Sequence, residues 1–349
     1  MTHRPTVSVV MAAYNGAALI GETLASLGRQ TMTDWEAVVV DDCSTDATRE
    51  VVAAWPDPRV RLVTLPENGG PVRARNRALA EARGRYIAGL DQDDLCHPER
   101  FARQVAHLDQ HPHVAVVGTA ARVMDERGNV SPARHAAITS PALIAWLLRI
   151  GNPLVWSSVM IRGEVTRAMA PFGRPEILFA EDFDIYHRAS RLGAIARIDA
   201  PLLTYRQHSG GASQRYEERM LASATMVLTE DHRATFADGA AASAGAVVQH
   251  LMHGQPVADR AALASLGAII AALKADHLAR HAPAASDVRL IEWESGRRWA
   301  EVVRTALGAG TIGMTDALAA RAVLPHLGVE GLAWAGLIGG ARRRGLAAS

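Results

Sequence analysis

The sequence predicts an α/β fold, a mostly parallel sheet with helices on both faces, followed by a helical C-terminal extension. Three observations carry this. Residues 7–125 alternate strand-length apolar runs with helical periodicities across short breaks, the βαβα rhythm of a parallel sheet covered on both sides. Two of the apolar runs end in carboxylates, Asp41-Asp42 and Asp91-Gln92-Asp93-Asp94, and ligands of open α/β sheets bind just outside the C-terminal ends of the strands. Beyond about Tyr216 the composition shifts to long Ala-rich stretches. The expected organisation is an α/β domain over 1–215 and a helical domain over 216–349.

Taken in order, residues 7–13 form an apolar run of strand length that ends at the turn Tyr14-Asn15-Gly16, and 19–27 show helical spacing. Residues 35–40 are a second strand. It ends in Asp41-Asp42-Cys43-Ser44-Thr45-Asp46, where Ser44 or Asp46 suits the N-cap of a helix through Trp55. Residues 59–65 make a third strand and 71–83 a helix stopped by Gly84. The run 84–90 is a buried strand that delivers the acidic cluster, and Pro98 opens another helix at a first-turn position. A fifth strand covers 114–123. After Arg134 the rhythm loosens. Residues 177–192 read as helix, 195–205 as a late strand, and 261–273 and 299–307 as helices of the extension.

The chain has 349 residues, 49% hydrophobic and 21% charged, which suits a globular protein with a sizeable core. Its net charge of +1 provides no global field to draw it to nucleic acid. Cys43 and Cys96 are the only cysteines, too few for a disulfide framework or a zinc cluster, and a reduced cytoplasmic setting fits them. The N-terminus runs straight into a strand with no signal-peptide core, and no segment is expected to reach the ~20 apolar residues of a spanning helix. Residues 328–341, followed by Arg342-Arg343-Arg344, leave room for a peripheral membrane contact. A homo-oligomer is compatible with the helical extension.

Three clustered carboxylates at one strand end repel one another, and a bound divalent cation offsets that repulsion. Oxygen ligands suit Mg²⁺ or Mn²⁺, which complete their shells with substrate phosphates and water. The second strand's Asp42 can accept hydrogen bonds from a base or a ribose, although a capping turn would use it equally well. Arginines in the first turns of the helix after Asn68-Gly69-Gly70 are poorly matched to the helix dipole, and a bound phosphate or base would explain them. Glu181-Asp182 opens a helical run, either as a cap or as a general base. His208 lies in a Gly-rich loop, Tyr205-Arg206-Gln207-His208-Ser209-Gly210-Gly211, from which an imidazole can reach a metal. No Gly-rich phosphate fingerprint follows the first strand, which disfavours an NAD or FAD site.

The order of these motifs resembles that of family 2 glycosyltransferases of the GT-A fold, a Rossmann-like nucleotide-diphospho-sugar transferase architecture, over roughly residues 5–215. The resemblance implies a UDP-, GDP- or dTDP-linked sugar donor, an acceptor hydroxyl, Mn²⁺ or Mg²⁺, and transfer with inversion. Carried over residue by residue, it places Ala13 and Tyr14 among the donor-binding residues, Asp42 on the base, Arg75 near base or phosphates, and Asp91 on ribose or metal. Asp93 becomes the principal metal ligand, His208 a further one, and Asp182 the base. Trp156 and Glu181 are candidates for the acceptor side, Trp156 by stacking on an acceptor ring, although a buried core tryptophan fits the sequence equally well. The sequence departs from the family at Gln92 and Cys43, where small residues are commoner. A nucleotidyltransferase shares strand-end carboxylates but needs a basic Gly-rich loop after the first strand, which Tyr14-Asn15-Gly16-Ala17-Ala18 is not. A non-catalytic sugar-nucleotide binder would have no use for Asp93, Asp182 and His208 together.

Overall fold

The computed structural model describes residues 4–133 and 136–323, so the basic segment near 342 lies outside the described residues. Their first compact unit comprises the described parts of Met1–Pro141 and Pro153–Ala224. Its strands are β1 (Val7–Ala13), β2 (Trp35–Asp41), β3 (Val60–Thr64), β4 (Tyr86–Gly89), β5 (Leu95–Cys96), β6 (Val114–Met124), β7 (Val130–Pro132), β8 (Met160–Arg162) and β9 (Ala194–Arg206). They form one sheet in the order β3-β2-β1-β4-β8-β6-β9-β5, with β7 paired to β6. β1, β2, β3 and β4 are mutually parallel, as are β6 and β9. β8 is wedged antiparallel between β4 and β6. The sheet is therefore mixed, with its longest pairings parallel.

β2 is buried at every position and β1 at all but Ala12, which is why both read as unbroken apolar runs. Alternate residues Val7, Val9 and Met11 share a core with Ile20, Leu24 and Leu27 of α1 (Ile20–Gly28). α2 (Thr48–Ala53) has Ala47 at its N-cap, not Ser44 or Asp46. Asp46 instead takes the Thr48 N–H from one residue further out, at 3.0 Å. α3 (Gly70–Glu81) packs on β1 and β2. α4 (Arg100–Gln110) begins two residues after Pro98, with Glu99 as its N-cap, so the proline precedes the helix rather than opening it.

α5 (Pro141–Leu148) was not legible in the sequence. α6 (Gly163–Ala168) and α7 (Glu181–Ala189) return to the first unit, α7 being shorter than the 177–192 expected. α8 (Ala212–Arg215) precedes α9 (Glu217–Phe236), which continues past Ala224 into the second unit. The second unit holds α10 (Ala240–Val247), α11 (Arg260–His281), α12 (Ala285–Ala309) and α13 (Met314–Val323), together with Ala142–Asn152. Its composition differs from a simple break after 215, because Trp146 and Arg149 are tied into the helical unit. Trp146 Nε1 donates to Ser295 Oγ at 2.9 Å. The Arg149 guanidinium reaches Asp231 at 2.9 Å, Asp276 at 2.7 Å and Thr235 at 2.9 Å. α11 has the length and apolarity of a membrane span, with a mean hydropathy of 1.4, contrary to the sequence expectation that no segment would. It buries Leu263, Leu266, Ile270 and Leu273 within its unit.

Candidate active site

The C-terminal edge of β1, β2 and β4 gathers the sequence-predicted residues of the α/β unit. Ala13 at the end of β1 accepts the Asp42 N–H at 2.8 Å, so the first two strand ends are joined directly. Asn15, at φ 47°, donates its N–H to Ser44 Oγ at 3.0 Å and accepts the Thr45 N–H at 2.8 Å. That leaves the Tyr14 side chain 40% exposed at the edge. The Asp42 carboxylate is buried and accepts the N–H groups of Gly69 at 2.8 Å and Gly70 at 2.7 Å. Gly70 has φ 83°, a conformation that favours glycine. Asp42 thus fixes the entry to α3, while each carboxylate oxygen keeps a second lone pair for a ligand.

Arg75 on α3 lies across the centre of the site. Its Nη2 donates to Asp91 Oδ1 at 2.6 Å and its Nη1 to Glu181 Oε1. The guanidinium stands 5.0 Å from the Trp156 ring. Burial disfavours its charge, but Asp91 and Glu181 outweigh that and hold its pKa above the ordinary arginine value. The arginine that seemed to await a phosphate is therefore matched by two carboxylates of the protein itself, which accounts for its place in the first turns of a helix.

The acidic cluster divides by direction. Asp91 faces Arg75, and its N–H donates to Ser157 Oγ at 3.0 Å. Asp93 Oδ2 meets His208 Nε2 at 2.9 Å. Burial and then the charge of Asp91 raise the Asp93 pKa, against the pull of His208. Asp94 is turned inward, fully buried, and accepts the Arg206 N–H at 2.9 Å. Burial, then Asp93 and Asp91, push its pKa well above the ordinary carboxylate value. Two of the three carboxylates therefore face the site, not three. His208 arrives from far along the chain because β5 pairs with β9, Leu95 opposite Thr204. Arg206 reinforces that approach by donating from Nε to the Asp93 carbonyl at 3.0 Å and from Nη2 to Glu22 at 2.7 Å.

Asp93 and His208 suit a divalent cation. Two adjacent ligands of an octahedral ion at about 2.1 Å are separated by about 3 Å, close to the 2.9 Å between Oδ2 and Nε2. Among the described residues no group of three or more His, Cys, Asp or Glu side chains is arranged to hold a metal by itself. Mg²⁺ and Mn²⁺ sites built from one or two protein ligands leave the remaining positions to substrate oxygens and water.

On the far side of Arg75, Glu181 and Asp182 open α7. The N-cap is Ala180, with no side-chain cap bond, so neither acid is the cap that the sequence allowed. Glu181 is 3% exposed and held by Arg75. Asp182 is half-buried and accepts the Phe183 N–H at 2.8 Å. Its charge reaches both Arg75 and Tyr186, the latter raised well above the ordinary phenol pKa by burial and by Asp182. Trp156 is 4% exposed. Its ring sits 2.7 Å from where a Cβ on Gly89 would lie, and 6.3 Å from Phe172. Of the two readings the sequence left open, acceptor stacking and a buried core tryptophan, its burial matches the second, and its ring lies under Arg75. Ser157 and Arg206 escaped sequence reasoning. Arg206 stood in view beside His208, whereas nothing in the sequence marks Ser157.

A mixed α/β sheet thus brings carboxylates, an arginine and a histidine together at its C-terminal edge. Residues 8–166 match glycosyl transferase family 2. The chain is 42% identical over 146 residues to the succinoglycan biosynthesis protein ExoO of Rhizobium meliloti, covering 40% of this chain and 42% of ExoO. It is 34% identical over 172 residues to the putative glycosyltransferase EpsE of Bacillus subtilis, covering 48% and 60% respectively. The chain thus spans about half the length of these curated relatives. The fold matches S. aureus TarS 1–349 in complex with UDP-GlcNAc at TM-score 0.57 and 21% identity, over 87% of this chain and 91% of that one. It matches the mannosyltransferase PcManGT of Pyrobaculum calidifontis, in complex with GDP-Man and Mn²⁺, at TM-score 0.53 and 20% identity, over 92% and 87%.

Proposed function

We propose that this chain transfers a sugar from a nucleoside-diphosphate donor to an acceptor hydroxyl with inversion, using a divalent cation. The observation that carries the reading is the Asp93–His208 pair, 2.9 Å apart at the sheet edge and two residues along from the Arg75-bound Asp91. The relatives support the donor class, since one structural neighbour binds UDP-GlcNAc and another GDP-Man with Mn²⁺. Asp93 and His208 would hold the cation, whose contribution is to stabilise the charge that grows on the leaving diphosphate without a proton transfer. Arg75 keeps Asp91 and Glu181 in fixed positions at the centre of the site. Asp182 takes the proton of the acceptor hydroxyl as it attacks the anomeric carbon. Attack from the side opposite the leaving group inverts that centre, as in inverting glycosidases with an alcohol in place of water.

Thermal unfolding with a panel of UDP-, GDP- and dTDP-linked sugars, with and without Mn²⁺, tests this, because a ligand of the native state raises the melting point. One donor should stabilise the protein in a Mn²⁺-dependent manner and be slowly hydrolysed. Stabilisation without any hydrolysis or transfer would point to a binding protein. Stabilisation by none of the panel would remove the donor reading.

A further inference from the structure

Gln92 stands between the two site-facing aspartates, and its side chain points elsewhere. Its carboxamide pairs with the backbone of Tyr14 in both directions: the Tyr14 N–H donates to Oε1 at 3.0 Å, and Nε2 donates to the Tyr14 carbonyl at 2.9 Å. The Gln92 carbonyl in turn accepts the Thr23 hydroxyl at 2.8 Å. Gly16 lies directly beneath the carboxamide, where an added Cβ would fall 2.1 Å from Oε1 and 2.4 Å from Cδ. Asn15, between them, is bound to Ser44 and Thr45. The turn 14–16 is therefore strapped between the Asp42 loop and the metal-ligand loop.

We infer that Gln92 is a positioning residue for the nucleoside half of the donor, an inference that rests on the donor reading above. A primary carboxamide carries a donor and an acceptor in one plane and so satisfies both groups of a single residue's backbone. A small residue at 92 would leave both to water. Fixing Tyr14 fixes the exposed ring at the end of β1 as a wall of the base site, an apolar face suited to a nucleobase. The same loop then sets that wall through Gln92 and holds the cation through Asp93. Gln92 itself touches neither donor nor metal.

The test is calorimetric binding of UDP, GDP and dTDP to the full chain, with Mn²⁺ and with EDTA, for wild type, Q92M, G16A and Q92A/G16A. Q92M keeps the volume and loses both bonds. It should weaken the nucleotide that wild type binds by about tenfold, equally with and without Mn²⁺. G16A displaces the carboxamide from the other side without changing any residue of the metal loop, and should produce a similar loss. Q92A/G16A should lose no more than one change alone, since the Cβ then meets no carboxamide. A merely structural role would lower the melting temperature and leave these affinities in place. Wild-type affinity in Q92M, a loss in Q92M confined to the Mn²⁺ arm, or a double loss equal to two single losses overturns the inference. Failure of wild type to bind any of the three nucleotides overturns the donor reading and this inference with it.

Discussion

Replacing Arg75 by Met is the most informative single change in the site. The side chain is 12% exposed and bridges Asp91, 32% exposed, and Glu181, 5% exposed. The two carboxylates lose different things. Asp91 has water at hand and is stranded cheaply. Glu181 has none, and its Oε2 already lacks a hydrogen-bond partner. Removing one partner of a buried pair costs about 3–5 kcal/mol, chiefly as the penalty of the charge left behind. At about 2–4 °C per kcal/mol for a domain of this size, the melting temperature should fall by roughly 6–20 °C. Most of that cost belongs to Glu181, so R75M/E181Q should recover much of the loss, because replacing both members of a buried pair by neutral groups is often nearly neutral. Thermal unfolding of wild type, R75M, E181Q and the double variant reads the coupling directly. An R75M variant that melts with wild type, or a double variant no more stable than R75M, would refute the assignment of Arg75 as the internal counter-charge of Glu181.

The remaining predictions concern chemistry and pH. Asp182→Asn preserves shape and the bond to Phe183 but cannot take a proton, so turnover should fall by about 10²–10⁴-fold with donor affinity nearly unchanged; near-normal turnover would leave Asp182 without a catalytic role. The helical unit should lose stability on acidification. Burial, then the charges of His281 and Arg149, lower the His277 pKa from 6.5 to about 4, so between those values the unfolded chain binds the extra proton and stability falls with pH, by about 3 kcal/mol in all. Asp276 adds a loss of the same sign lower down: burial raises its pKa, but hydrogen bonds from Arg149, Arg280 and Thr235 prevail and hold it at about 2. His277→Leu should flatten the decline between pH 6.5 and pH 4, and an unchanged decline in that variant would place the titration elsewhere.

What was legible in the sequence follows burial pattern and local chemistry. β1, β2 and β4 are covered on both faces and read as apolar runs, and the carboxylates that end β2 and follow β4 stood out at the end of those runs. β5, β7 and β8 have two or three residues each. They exist because distant strands pair with them, so no local period announces them. α5 is apolar nearly all round, Pro-Ala-Leu-Ile-Ala-Trp-Leu-Leu, and such a segment reads equally as strand or helix. At the site, Asp93 and His208 were each visible as residue types. Their 2.9 Å approach depends on the β5–β9 pairing across more than a hundred residues. Arg75 was rightly marked as unusual at a helix start, but its partners come from two other segments, Asp91 and Glu181. Trp156 was open to two readings because an aromatic side chain gives the same sequence signature whether it faces a ligand or lies buried beneath the site, and it is buried. Gln92 looked like an irregularity in the motif, and only its reach to Tyr14 explains why a long amide fits there.

In the proposed mechanism Asp93 anchors a cation that in turn holds the donor diphosphate. Calorimetric titration of the preferred nucleotide sugar into wild type and Asp93→Ala, each with Mn²⁺ and with EDTA, measures this most directly. The account predicts a Mn²⁺-dependent gain in affinity for wild type, and no such gain in a folded Asp93→Ala protein whose metal-free binding is little changed. A Mn²⁺-dependent gain that survives undiminished in Asp93→Ala would contradict it.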